Sequence, residues 1–70
     1  MPFVNIRIVK EAIADDPDRK KAEMTDKIAA VIAAAAGVSE DQVWIVFDEV
    51  DAKDWFLGKN SVKKLRFNRP

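Results

Sequence analysis

The residue types that usually carry chemistry are scarce in this sequence. It has no histidine and no cysteine, which removes thiolate nucleophiles, Ser-His pairs and ordinary zinc sites. Gly37 and Gly58 are its only glycines, so no glycine-rich loop is present to cradle a phosphate. The carboxylates fall mostly at helix or loop positions, where solvated charge is their ordinary role. One group stands apart. Met1 is followed by Pro2, a residue small enough to permit removal of the initiator methionine, and removal leaves a secondary amine. A free α-amino group titrates at about 7.7–8.0. Burial beside apolar groups, or a nearby cation, lowers that value and leaves more neutral base. A neutral amine takes a proton from the carbon beside a carbonyl and returns it elsewhere, which is keto–enol tautomerisation.

Such an amine is useful only if the chain holds it still. Val4, Ile6 and Ile8 alternate with Phe3, Asn5 and Arg7, the two-residue period of a strand that begins directly after Pro2. Proline suits the first position of a strand because it has no N–H to give to a ladder. Residues 10–16 read as a loop. Asp16-Pro17 then opens a helix, with the aspartate as cap and the proline in the first turn. Met24, Ile28, Val31, Ile32 and Ala35 form one apolar stripe at helical spacing, and Gly37 ends the helix after roughly 30 Å. Ser39-Glu40-Asp41-Gln42 has the spacing of a capping box. Val43 to Phe47 is a second strand, rich in β-branched and aromatic side chains. Val43, Ile45 and Phe47 share one of its faces, Trp44, Val46 and Asp48 the other. Strand, long helix, strand predicts two parallel strands. Residues 51–61 read as a turn and small hairpin around Gly58, and Val62–Phe67 as a short basic strand. The fold class is therefore α+β: a short βαβ subunit with a C-terminal turn or hairpin.

Length and composition point to more than one copy. Residues 1–70 make a single domain, and a chain this short buries only about 60% of its unfolded surface alone. Yet 49% of its residues are hydrophobic, with two Trp and four Phe and no disulfide to offset a small core. A homo-oligomer is the expectation. Net charge is zero but unevenly placed: residues 1–50 hold six basic and ten acidic residues, residues 51–70 six and two. The basic end suits an anionic ligand, a nucleic acid or an acidic face of a neighbouring subunit. A nucleic-acid surface built on Lys63, Lys64, Arg66 and Arg69 is the weakest of these, since it lacks interleaved aromatics and a net positive charge. The start of the sequence does not read as a signal peptide, and no apolar run approaches the ~20 residues of a membrane span. A cytoplasmic protein with neither membrane nor nucleic-acid partner is expected.

Taken in order, Pro2-Phe3-Val4-Asn5-Ile6-Arg7-Ile8, the long helix, Val43 through Val50, Trp55 and Gly58 resemble the 4-oxalocrotonate tautomerase family over residues 2–62. The resemblance implies a βαβ subunit assembled as dimers into a hexamer with three-fold symmetry. It also implies an amino-terminal proline, here Pro2, as general acid–base, with no metal or organic cofactor. Members acting on dicarboxylates carry one arginine just after the first strand and another inside the second. This chain has Lys10-Glu11-Ala12-Ile13 at the first place and Trp44 at the second. The pocket aromatic of the family matches Trp55, and its glycine-rich turn is reduced to Leu57-Gly58-Lys59.

Without an arginine pair there is no bidentate clamp for two carboxylates. Trp44, Trp55 and Phe3 instead suit a small monocarboxylate with an apolar or aromatic body. Trp44 and Trp55 serve equally as packing residues, the role assigned to Phe47 and Phe56. The cation that meets the carboxylate is open among Arg19, Lys10, Lys53, Lys59 and Arg66. Arg19 stands at the first turn of the helix, where backbone N–H groups also favour an anion. The leading reading is an isomerase working through Pro2. Decarboxylation or hydration of a small unsaturated or β-keto acid, and a non-catalytic oligomeric module that has lost the clamp, are the alternatives.

Overall fold

The computed structural model describes residues 1–67. Strand β1 covers Phe3–Val9, a 3-10 turn Lys10–Ile13, helix α1 Pro17–Ala36, a second 3-10 turn Glu40–Gln42, and strand β2 Trp44–Val50. A third 3-10 turn, Ala52–Asp54, leads into strands β3 (Phe56–Leu57) and β4 (Asn60–Ser61), and helix α2 spans Val62–Phe67. β1 and β2 pair in parallel from Phe3 opposite Trp44 to Val9 opposite Val50, and β3 and β4 form an antiparallel hairpin. Two parallel neighbours need a crossover, and α1 supplies it by returning the chain to the edge where β1 began.

The ends of α1 explain its length. The Asp16 carboxylate accepts the Arg19 N–H at 3.3 Å, and Pro17 occupies the first turn. At the other end the N–H groups of Gly37 and Val38 both donate to the Ala33 carbonyl, at 2.9 and 3.1 Å. This closure needs Gly37 at φ 72°, a left-handed conformation that costs side-chain-bearing residues about 1–2 kcal/mol. Along the helix, the covered positions form two adjoining rows, Pro17, Lys21, Thr25 and Ala29 ending on buried Ala33, and Lys20, Met24, Ile28 and Ile32. Met24, Ile28 and Ile32 of the expected stripe are therefore covered. A row of four-residue spacing winds around the axis by about 40° per step, so α1 crosses the sheet obliquely. For that reason Val31 and Ala35, expected on the apolar stripe, are exposed.

The sheet has two unlike faces. Val4, Ile6, Ile8, Ile45 and Phe47 are half-buried on the α1 side. There the Lys21 ammonium bonds the Glu49 carboxylate at 3.2 Å and lies 5.7 Å from the centre of the Phe47 ring. The opposite face carries Phe3, Asn5 and Arg7 of β1 beside Trp44, Val46 and Asp48 of β2. Phe3 is 63% exposed, Trp44 57% and Val46 43%. Among the described residues, the buried hydrophobic ones are Ile13, Ala33 and Ala52.

Five further sequence expectations are corrected. The loop after β1 contains an ordered 3-10 turn, whose Ile13 is buried. β2 begins at Trp44 rather than Val43 and runs on to Val50. Ser39 caps no backbone N–H of the turn that follows it; its hydroxyl bonds the Asp41 carboxylate. The segment Val62–Phe67 is helical rather than a basic strand, because the Ser61 hydroxyl accepts the Lys64 N–H at 3.1 Å and caps a turn there. Phe56, assigned to packing, is exposed. Among the described residues, no helix is long and apolar enough to cross a membrane.

Candidate active site

Pro2 sits just ahead of β1 and is half-buried. Its carbonyl accepts the backbone N–H of Trp44 at 3.0 Å. That bond extends the β1–β2 ladder one step beyond the strand and fixes the proline on its carbonyl side. Beside it, the Trp44 indole N–H donates to the thioether sulfur of Met1 at 2.7 Å. The rings of Phe3 and Trp44, opposite each other in the ladder, give this end of the outer face an aromatic wall.

The other sequence-selected residues lie at the far end of the sheet. Lys10 is exposed in the turn that follows β1. Arg19, also exposed, bonds the Asp16 carboxylate at 2.9 Å and stands 4.0 Å from Glu23. Trp55 is half-buried after the third turn. Seven strand residues at about 3.3 Å each separate the two ends by roughly 20 Å. A single chain thus brings Pro2 and Trp44 together and holds Trp55, Arg19 and Lys10 apart from them. Of the remaining cations, Lys53 pairs with Asp54 at 3.3 Å, and Lys59 and Arg66 are exposed.

Trp55 belongs to a cleft of about 400 Å³ on the outer face, lined by Arg7, Asp48, Val50, Asp54, Trp55 and Phe56. Arg7 Nε donates to Asp48 Oδ2 at 3.0 Å across the strand pair. Neither residue was singled out from the sequence. Pairing the strand starts expected from the sequence, Phe3 and Val43, would set Arg7 opposite Phe47; the observed register, Phe3 opposite Trp44, brings it to Asp48. A larger cleft of about 630 Å³ lies between α1 and the turn before β2, but Asp26, Glu40 and Asp41 line it. Three carboxylates repel an anionic substrate, so size alone does not make this the site.

Glu11 holds the C-terminal segment in place. Its carboxylate accepts the Ala52 N–H at 2.9 Å, and this bond holds its pKa below the usual glutamate range, with smaller contributions from Lys10 and Arg66. Ala52 opens the turn that carries Trp55, so Glu11 ties the turn after β1 to the pocket aromatic. Among the described residues, no group of three or more carboxylates is arranged to hold a metal ion.

A βαβ subunit with a proline heading its first strand, one aromatic wall beside it and a second aromatic cleft at the far strand ends defines a narrow class of protein. The model of the tautomerase enzyme family matches residues 2–65, and the chain belongs to that family. It is 29% identical over 66 residues to probable tautomerase K2 of Dickeya dadantii, covering 94% of each chain. It is 27% identical over 66 residues to a probable tautomerase of Helicobacter pylori, covering 94% of this chain and 96% of that one. The crystal structure of DmpI from Helicobacter pylori superposes with a TM-score of 0.73 at 23% identity, over 97% of this chain and all of the other. That likeness establishes the fold: βαβ with parallel strands and a C-terminal hairpin. Family membership supports a function of the tautomerase type.

Proposed function

We propose that this chain is a cofactor-independent isomerase in which the Pro2 nitrogen, freed by loss of Met1, moves a proton on a small enol or keto monocarboxylate. The observation that carries the reading is the place of Pro2 in a chain of this family, heading β1 with its carbonyl tied to Trp44 at 3.0 Å. A tethered amine loses little orientational freedom on meeting substrate, which lowers the entropic part of the barrier. In the forward direction the neutral amine takes the enol hydroxyl proton. Electron density moves to the adjacent carbon, and the resulting ammonium protonates that carbon.

Residues 1–70 act as one domain in a homo-oligomer, for which a trimer of dimers is our reading. Support comes from shape. The radius of gyration is 15.1 Å, against about 11 Å for a compact chain of this length. The outer sheet face leaves Phe3, Trp44 and Val46 exposed in one chain. In the assembly, the far strand end of one copy meets the Pro2 end of another. Trp55 then walls the pocket, and Lys10 or Arg19 receives the carboxylate.

Intact mass establishes whether Met1 is absent, and ultraviolet absorbance follows ketonisation of phenylenolpyruvate. Pro2→Ala should lower kcat/KM by about 10²–10⁴-fold, the usual worth of a positioned acid–base group. Equal rates above background for the two proteins would remove Pro2 from the reaction, and no rate above background for either would favour the non-catalytic module.

A further inference from the structure

Trp44, whose backbone N–H bonds the Pro2 carbonyl, also gives its indole N–H to the sulfur of Met1 at 2.7 Å. Met1 is also the residue whose departure creates the amine. One cleavage therefore has two effects: it uncovers the base and releases the Trp44 indole N–H. We propose that Met1 occupies the substrate position in the unprocessed chain, and that in the mature chain the Trp44 indole N–H donates to a carbonyl or carboxylate oxygen of the substrate. This rests on the reading of Pro2 as the base and adds the residue that orients the ligand against it.

Covalent geometry sets the span. The Met1 sulfur is five bonds from the Pro2 nitrogen, so the two atoms lie within roughly 6 Å of each other. The sulfur stands in for an acceptor atom of the ligand. A carbon in position for proton transfer lies about 3–3.5 Å from the amine. In an enol or keto acid the nearest carbonyl or carboxylate oxygen is two or three bonds further on. Amine, reacting carbon and indole-bound oxygen therefore fit the space that the methionine side chain spans.

The donor also sets the ligand class. An indole offers a single uncharged N–H and no accepting atom, so it satisfies one oxygen and clamps no second carboxylate. The adjoining side chain on the same face is Phe3, opposite Trp44 in the ladder and 63% exposed. One acceptor oxygen and a flat apolar body are what this corner receives, as in an arylpyruvate.

The test is read on the indole proton. The chain has two tryptophans, so ¹H–¹⁵N spectra show two indole signals, assigned by Trp44→Phe. Titration of the mature wild-type protein with phenylpyruvate should move the Trp44 signal downfield to saturation. A chain prepared with Met1 retained should show that signal already displaced and unresponsive to phenylpyruvate. Trp44→Phe keeps the ring and loses the donor, and should weaken phenylpyruvate binding and raise KM roughly tenfold, with kcat within about threefold. A Trp44 signal that stays still while phenylpyruvate moves other resonances would overturn the proposal, as would absence of binding at millimolar phenylpyruvate. The wild-type titration decides the matter even if Trp44→Phe folds poorly. Pro2→Ala separates this proposal from the catalytic one: it should lower kcat/KM by about 10²–10⁴-fold and leave the indole shift intact.

Discussion

Val46→Asp should take the assembly apart. Val46 lies mid-strand on the outer sheet face, opposite Asn5 and between Trp44 and Asp48 on that face. It is 43% exposed in a single chain. The chain presents 5340 Å² of accessible surface, whereas a compact monomer of 7.9 kDa presents roughly 4400 Å². The excess, roughly 900 Å², matches the ~800 Å² that each partner contributes to a standard interface. Placing a carboxylate in that interface imposes a desolvation cost of several kcal/mol per ion. Taking about 4 kcal/mol, association weakens about a thousandfold at each interface containing the site. Sedimentation velocity between about 1 and 100 μM reads the outcome. The wild type should sediment as a multiple of the 7.9 kDa chain, with six copies favoured, and Val46→Asp as a single chain. Val46→Thr, close in shape and uncharged, should keep the assembly. If Val46→Asp sediments with the wild type at the lowest concentration, the outer face is not an interface and the reasoning from exposed area fails.

Glu11→Ala should loosen the segment carrying Trp55, seen as a red shift of Trp55 emission in a Trp44→Phe background. The same contact should respond to acid. Because the Ala52 N–H lowers the Glu11 pKa below its unfolded value of 4.5, the contact stabilises fully above that value and is lost as pH falls through the lowered one. Acidification should therefore shift Trp55 emission in the wild type and have little further effect in Glu11→Ala. Ile13→Ala, at a buried side chain in the turn after β1, should cost about 2–5 kcal/mol by urea denaturation. A loss under 1 kcal/mol would mean that this turn contributes little to the core.

The parts of the fold set by short-range chemistry were legible in the sequence. Alternation around Val4, Ile6 and Ile8 marks β1, and Asp16-Pro17 and Gly37 bracket α1 through caps that the structure contains. The exposed Val31 was misread because periodicity gives a stripe along the helix but not the angle at which the helix crosses its sheet. Helix α2 was misread because its six residues are too few to show a period, and the deciding contact is one serine hydroxyl on one N–H. Among the candidate residues, the sequence singles out Pro2 by its type and place and Trp44 by its position within β2, and the structure sets the two side by side. Arg7 and Asp48 were not, since their meeting depends on the register between two strands 41 residues apart. That Pro2 and Trp55 stand at opposite ends of one subunit follows from the parallel pairing that strand, long helix, strand predicted.

The central claim is that the Pro2 amine titrates as the base that moves the proton. The most direct measurement follows the ¹⁵N resonance of Pro2 against pH in the mature protein, beside the pH dependence of kcat/KM for phenylenolpyruvate. kcat/KM should rise with pH through a midpoint coinciding with that of the Pro2 nitrogen, because only the neutral amine accepts the enol proton. A kcat/KM that stays flat while the Pro2 resonance passes through its full titration would contradict it.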